Sequence, residues 1–347
     1  MIVFGDDGFI SLMVLIIMSI ILISSTYLGY TIKLENLILV STNNEIQSYY
    51  LSEGKILMSF YDHYYEDSLY PIILKAFRNN NFKDIQEFSL EDADLGKDDS
   101  FNKVLVSFED IDHRKSVIIK TEAEYKGRKT KMLASASLVN GLFEMNNPIL
   151  SLTTVDSEVE NDFSHLLASI YLEMDLNSID IPLNTYIREV SSYEKLSLQQ
   201  KEDKTYTISF ERESMIEPYV ENFDKGEFII AMRRDGGLRR ALILGDEIEE
   251  DMTMDLNGLI FVEGDVIVRG NLNFNGIMIV KDGEIVVNSE NKPNINGIII
   301  CGSERDREII EEKINLLYDK TYIYKYGLYL PGFLDLKVDS VKVNMKG

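Results

Sequence analysis

One cysteine, three histidines and no tryptophan occur among 347 residues. A single thiol, Cys301, excludes an intramolecular disulfide, so a location outside the cell would have to be withstood by packing alone. Its setting, Ile298-Ile-Ile-Cys301-Gly302, reads as a small buried hydrophobe rather than a reactive thiol. His63, His113 and His165 fall in separate segments, none in a metal-ligand spacing. No glycine-rich phosphate loop follows a strand, because Gly236-Gly237 sits in the charged turn Arg233-Arg-Asp-Gly-Gly-Leu-Arg-Arg240. Basic residues are scarce: 35 Lys and Arg face 58 Asp and Glu, a net charge of −23. Such a surface repels phosphate backbones, so no nucleic-acid partner is expected. It favours solubility and attracts cations or basic partners. The acidic stretch Glu91–Asp99 lacks the spacing and terminal Glu of a calcium loop and reads as a solvated loop. The expectation is a chain with no catalytic constellation, no metal site and no cofactor. Arg233, Arg234, Arg239 and Arg240 form its one basic cluster, suited to an acidic neighbour or to an exposed turn.

Charge is also missing from the start of the chain. Phe9 to Ile32 is 24 residues long and uncharged. As a helix it spans roughly 36 Å, enough for a bilayer core of about 30 Å. The run is too long for a cleaved secretory signal, and the one small-residue cut, Gly8-Phe9, precedes it. Beyond Lys33 the sequence is that of a water-soluble protein. Ile46, Tyr49, Tyr50, Glu53, Ile56, Leu57, Phe60, Tyr61 and Tyr64 recur at helical spacing. They predict one long helix over about 9–69, bent near Gly54, ending before Pro71, with this stripe packed on the soluble part.

This layout resembles type IV pilins: a short leader ending in Gly, then Phe, then an apolar helix running into an amphipathic one. The segment Asn43-Asn-Glu-Ile-Gln-Ser-Tyr-Tyr-Leu-Ser-Glu53-Gly54 is similar to the stretch after the membrane helix in minor pilins and pseudopilins of the PilX type, found in Gram-positive bacteria. The resemblance implies cleavage by prepilin peptidase between Gly8 and Phe9, methylation of the new terminus, and packing of the helix with other subunits in a filament core. Counted from Phe9, the fifth residue is Met13, where major pilins carry a Glu that compensates the buried terminus of a neighbour. In the family the minor component lacking that Glu sits at the tip, so a tip or priming role is implied. The leader, Met1-Ile-Val-Phe-Gly-Asp-Asp-Gly8, departs from the family in having two acids and no base. The positive-inside rule therefore gives almost no orientation signal, Lys33 being the one nearby base on the other flank.

The soluble region divides in two. Lys103–Phe108, Ser116–Tyr125 and Lys131–Leu138 read as strands, the last two joined as a hairpin through Tyr125–Lys129. Asp156–Asn177 reads as a helix capped by Asp156 or Ser157, with Phe163, Leu166, Leu167, Ile170, Tyr171 and Met174 on one face. A further helix is expected around Thr185–Gln200. Then Asn257-Gly-Leu-Ile-Phe, Asn275-Gly-Ile-Met-Ile and Asn296-Gly-Ile-Ile-Ile repeat one pattern at intervals of 18 and 21 residues. Short strands at a near-fixed period predict a β-solenoid with Asn-Gly at its corners; an ordinary β-meander would give the same strands with less regular corners. Glu304–Lys320 would cap it as a helix, and the tyrosine-rich Tyr322–Phe333 would either form an exposed sticky patch or, the preferred reading, pack beneath that helix. Leu336–Asn344 reads as a final strand. Solenoids host polysaccharide lyases, but three rungs are too few for such a groove.

The expected class is α+β: a long N-terminal transmembrane and amphipathic helix, an antiparallel β pilin-like head, and a short β-solenoid-like C-terminal region. The expected divisions are a leader over 1–8, a transmembrane helix over 9–32, an amphipathic region over 33–80, a head over 81–220 and a solenoid with its capping helix over 221–347. Two functions fit. The first is a minor pilin or pseudopilin of a type IV pilus or type II secretion-like filament, with other pilin subunits, prepilin peptidase and the membrane as partners. The second is a membrane-anchored surface protein whose solenoid binds a ligand or polymer. Both place one span in the membrane and the C-terminal region outside the cell; a third, weaker reading is an inward-facing domain on the membrane with a polymer-forming role.

Overall fold

The computed structural model describes residues 6–111, 114–174, 176, 184–234, 240–245, 253–289, 291–302 and 306–343. Helix α1 (Asp6–Tyr61) is followed by a π-turn at Tyr65–Leu69 and by α2 (Tyr70–Arg78). Strands β1 (Gln86–Ser89), β2 (Lys103–Ile111), β3 (Arg114–Tyr125) and β4 (Arg128–Val139) come next, then β5 (Ile149–Leu150) and α3 (Glu160–Glu173). Further on lie β6 (Thr185–Val190), β7 (Lys195–Gln200), β8 (Tyr206–Glu211), β9 (Tyr219–Phe223), β10 (Glu227–Met232) and β11 (Ala241–Leu244). The chain continues with β12 (Thr253–Glu263), β13 (Asp265–Val268), β14 (Asn271–Lys281), β15 (Ile285–Val287) and β16 (Asn294–Cys301). It ends with α4 (Asp306–Lys313), β17 (Asn315–Leu317), α5 (Lys320–Gly327) and β18 (Leu334–Val343).

Three sheets result. The head is antiparallel, in the order β1-β2-β3-β4-β18, and the second half of α1 packs on β3 and β4. The expected hairpin is present, with Tyr125 opposite Arg128. The other two sheets are the walls of a solenoid. One is parallel, β6-β10-β12-β14-β16-β17, with β5 beside β16. The other is β7-β11-β13-β15, also parallel, with β8 and β9 added antiparallel at its β7 edge. Asn257 pairs with Asn275 and Asn275 with Asn296, so the sequence repeats of 18 and 21 residues are successive turns of the solenoid.

The parallel wall explains the unbroken apolar runs. In β12 the residues Met254, Leu256, Ile260 and Val262 face the solenoid interior with Leu196, Leu242 and Val266 of the other wall. Leu259 and Phe261 face the other way, into a second buried cluster shared with Phe163 and Ile170 of α3 and Ile323 and Tyr326 of α5. A strand buried on both faces needs consecutive apolar residues rather than alternation. Tyr171 of α3 and Phe261 meet with ring centroids 6.0 Å apart, and Cys301 is buried on the interior side.

Several expectations are corrected. Thr185–Gln200 is not a helix but β6 and β7, the first turn of the solenoid, which therefore begins before residue 221. The Asn-Gly pairs are not corners; they lie inside long strands, stacked in register. Pro71 sits in the first turn of α2, where its missing N–H has no intrahelical use. The residue before α3 is Val159, with no side-chain cap from Asp156 or Ser157. The region from 304 to 320 gives the short α4 and then β17, a further partial rung. The tyrosine-rich segment does pack inward, with Tyr324, Tyr326 and Tyr329 buried, and the final strand joins the head rather than the solenoid.

The glycines of the Asn-Gly pairs carry a steric constraint. Gly276 has φ 153°, and a Cβ there would lie 1.8 Å from the carbonyl oxygen of Gly258. At Gly297 it would lie 1.9 Å from the carbonyl oxygen of Gly276. Gly54, by contrast, has nothing within 4 Å of such a Cβ and sits inside α1, which stays helical through it. Gly276→Ala is therefore expected to cost more than about 3 kcal/mol or to prevent folding. Gly54→Ala is expected to stabilise by up to about 1 kcal/mol. Thermal melts of the full chain in detergent, followed by circular dichroism, check both.

Candidate functional site

Among the described residues, one helix is long and apolar enough to cross a membrane, and it is α1. From Phe9 to Ile32 its side chains project outward all round, with none packed on the rest of the protein. Its hydroxyls are satisfied within the helix. Ser19 donates to the Leu15 carbonyl (2.7 Å), Thr26 to that of Leu22 (2.8 Å) and Thr31 to that of Tyr27 (3.0 Å). In hydrocarbon an unpartnered hydroxyl would be costly, and these bonds remove that cost. Met13 lies on this lipid-compatible surface, and Gly8-Phe9 falls within the helical span. Leader residues 1–5 lie outside the described residues.

Past the membrane segment α1 changes partner and chemistry. Its buried face is a polar seam: Ser48, Ser52, Lys55 and Ser59, flanked by Ile56 and Phe60. The Ser48 and Thr130 hydroxyls hydrogen-bond each other across the helix–sheet contact. Ser52 and Thr121 do the same at 2.9 Å, and Thr121 also donates to the Ser52 carbonyl at 3.0 Å. Small polar side chains let the helix lie close to the sheet while leaving no donor stranded.

Lys55 is the centre of this seam. It is 2% exposed, and its ammonium pairs with Asp99 at 2.6 Å, donates to the Glu122 carbonyl at 2.7 Å and also donates to the Phe101 carbonyl. Asp99 in turn accepts from the backbone N–H of Phe101 (3.0 Å) and Glu124 (3.3 Å). Burial holds the Lys55 pKa below the ordinary lysine value, opposed by the Asp99 carboxylate. One turn beyond α1, Tyr64 donates to Asp94 at 2.6 Å and accepts from the Glu91 N–H at 2.7 Å. The acidic stretch Glu91–Asp99 is therefore a strap bound over the helix at two points, not a freely solvated loop. Asp99 gives no sign of this in the sequence, because its partner lies 44 residues earlier.

The expected stripe is divided by the structure. Ile56, Phe60 and Tyr64 pack inward, but Ile46, Tyr50, Leu57 and Tyr61 stay exposed, the last at 73%. These four fall on one side of α1, opposite the polar seam. The serine seam therefore meets the sheet together with Ile56 and Phe60, while the rest of the stripe does not.

The arginine cluster is largely committed to the fold. Arg240 is 3% exposed and donates to the Ser191 and Tyr193 carbonyls at a solenoid corner. Arg233 pairs with Glu189 at 2.9 Å, donates to the carbonyls of Tyr171 (3.3 Å) and Met174, and stacks on Phe261. Arg234 is held through its backbone N–H by Glu263 at 2.6 Å. Arg239 lies outside the described residues, as does His113. His63 is exposed beside Asp62, at 3.2 Å, which raises its pKa through a side-chain hydrogen bond. Among the described residues no three His, Cys, Asp or Glu side chains converge as a metal site.

No protein-family model and no curated protein matches the chain. Among solved structures, the competence-associated pilin ComZ from Thermus thermophilus matches 87% of this chain and 98% of its own, at 11% identity and a TM-score of 0.25. This is a distant, partial likeness to a pilin-like fold; it does not single out the PilX type, and at that TM-score it carries no weight for function.

The seam makes two measurable demands. Lys55→Met leaves the Asp99 carboxylate buried and unpaired, and is expected to cost about 3–5 kcal/mol. The double variant Lys55→Met, Asp99→Leu should recover most of that loss. Denaturant unfolding of the full chain in detergent measures both, and equal losses in single and double variants would contradict the pairing. The pH dependence has a definite sign. With the folded pKa of Lys55 below the unfolded one, the unfolded chain binds more protons between the two values. The contribution of Lys55 to stability therefore rises with pH across that alkaline window, and Lys55→Met should remove this part of the slope.

Proposed function

We propose that this chain is a minor pilin or pseudopilin, a structural rather than catalytic subunit that takes part in assembling a type IV pilus or a type II secretion-like filament. The observation that carries the proposal is the build of α1. Its first half is apolar on every side, and its second half is clamped on an antiparallel sheet by one face only. The opposite face keeps Ile46, Tyr50, Leu57 and Tyr61 exposed beyond the membrane segment. An apolar stripe left open to water marks a surface that meets a partner, and its continuity with the membrane helix makes the partner another subunit's helix. The segment around Asn43–Gly54, similar to that of PilX-type minor pilins, points the same way.

Met13 in place of a carboxylate supports a tip or priming position. A subunit without that Glu cannot neutralise the buried amino terminus of a neighbour, and an unpaired charge in an apolar core is costly. The soluble region then projects outside the cell, tied to the membrane until assembly by its single apolar helix.

The test is the mass of the N-terminal peptide, recovered from membranes of the native cell with and without its prepilin peptidase. The expected result is a peptide beginning at methylated Phe9 that appears only with the peptidase; an intact Met1 in both samples would overturn the proposal. A second measurement addresses the stripe. Tyr50→Glu with Leu57→Glu should leave the melting temperature and the cleavage unchanged, yet eliminate co-purification with other filament subunits.

A further inference from the structure

The outer face of the parallel solenoid wall has two unlike halves. Past the Gly258-Gly276-Gly297 column it is covered by α3 and α5. Before that column it is open and carries two columns of side-chain amides. In one, Asn273 donates to Asp255 (2.9 Å), Asn294 to Asn273 (2.8 Å) and Asn315 to Asn294 (3.0 Å). In the other, Asn275 donates to Asn257 (2.9 Å) and Asn296 to Asn275 (2.8 Å). Between the columns runs a shallow groove of about 350 Å³, with Leu317 of β17 at one end in line with Asn296.

Each ladder bond uses one N–H of an amide and one lone pair of the next. A carboxamide has two of each, so every interior asparagine retains one donor and one acceptor for the groove. These pairs repeat about every 4.8 Å along the solenoid axis, and the two columns stand roughly 7 Å apart along the strands. Asparagine is otherwise a poor strand residue, and an open outer face could have been made of threonine or valine. The lining carries one charge, Asp255 at its end, on a chain of net charge −23. A polyanion is therefore excluded by repulsion, and a cationic ligand finds no carboxylate array.

We infer that the open asparagine ladders form a binding groove for an uncharged, extended polysaccharide laid along the solenoid axis, with its hydroxyls paired to the free amide donors and acceptors. A straight groove with a regular repeat suits a ribbon-like β-1,4-linked chain rather than a coiled one. The inference does not depend on the filament reading, because the same groove would serve a solenoid merely anchored to the membrane.

The test is calorimetric titration of the full chain in detergent micelles with cellohexaose, xylohexaose and chitohexaose, with maltohexaose as the coiled control. At least one extended hexaose should bind, and Asn275→Ala should weaken it at least tenfold. Asn291→Ala should leave binding unchanged, since Asn291 donates to Asn271 outside the groove and reports loss of a ladder bond alone. Melts accompany each variant, and Asn275→Asp, which keeps the volume and removes the donor, replaces Asn275→Ala if the latter does not fold. No heat with any of the three extended hexaoses, equal binding by maltohexaose, or unchanged binding after substitution of Asn275 would overturn the inference. Failure here leaves the cleavage at Phe9 untouched, so the two proposals fail separately.

Discussion

The structure depends on a parallel sheet that has no wet side over half its width. Leu259, Ile277 and Ile298 leave it on one face and Ile260, Met278 and Ile299 on the other, and both sets are buried. A wall of this kind cannot fold as an independent layer, because each face needs its own cover. One cover is the second solenoid wall. The other is assembled from distant parts of the chain: α3, α5, Phe143 after β4 and Phe333 before β18. Tyr318 donates to the Phe143 carbonyl at 2.5 Å, and Tyr324 donates to Glu144 at 2.7 Å. Burial raises the pKa of Tyr324, with the Glu144 carboxylate adding to the effect. The head and the solenoid are therefore joined through a shared core rather than by a linker.

Helix α1 passes through three environments, and its sequence changes accordingly. In the membrane segment every side is apolar, and hydroxyls bond to their own helix. Against the sheet, serines and a lysine stand beside Ile56 and Phe60; Ser48, Ser52 and Lys55 bond to groups of the head, and Ser59 donates to the Lys55 carbonyl of its own helix. On the far side, Tyr and Leu remain open. The buried Lys55–Asp99 pair offers little net stability compared with apolar residues of the same volume. Its effect is to fix one register of helix on sheet and to draw the 91–99 strap over the helix end. A purely apolar contact would hold that register less specifically.

Much of this was legible in the residues. The uncharged run to Ile32, the β3–β4 hairpin and the 18- and 21-residue periods each rest on local pattern, and local pattern survives folding. What failed depended on distant pairing. The first solenoid turn reads as a helix in the sequence because its repeat is interrupted: Thr185 pairs with Glu227, 42 residues on, with the β8–β9 hairpin inserted between. The stripe on α1 reads as wholly inward because large apolar residues usually are, whereas only Ile56, Phe60 and Tyr64 pack on the core and serines fill the closest approach to the sheet. Asp99 looked solvated because neighbouring acids set the expectation, while Lys55 sets its fate. Arg233 and Arg240 looked available for a partner because charged turns are usually exposed, yet their guanidiniums satisfy carbonyls of the chain itself. The amide ladders were visible as asparagines but misplaced, since Asn-Gly most often signals a turn.

In-register stacking leaves one quantity free: the number of turns. Each added turn offers the next the same glycine column, the same amide columns and the same two apolar faces. The 18- and 21-residue turns coexist because one extra residue is taken up between β14 and β15 and two between β15 and β16, without disturbing the columns. A duplication or loss of a whole turn would thus conserve the contacts between neighbouring rungs, while the cover made by α3 and α5 limits how many turns can be buried on the outer face. Solenoid length is in this sense a heritable variable of the fold, adjustable in steps of one strand spacing.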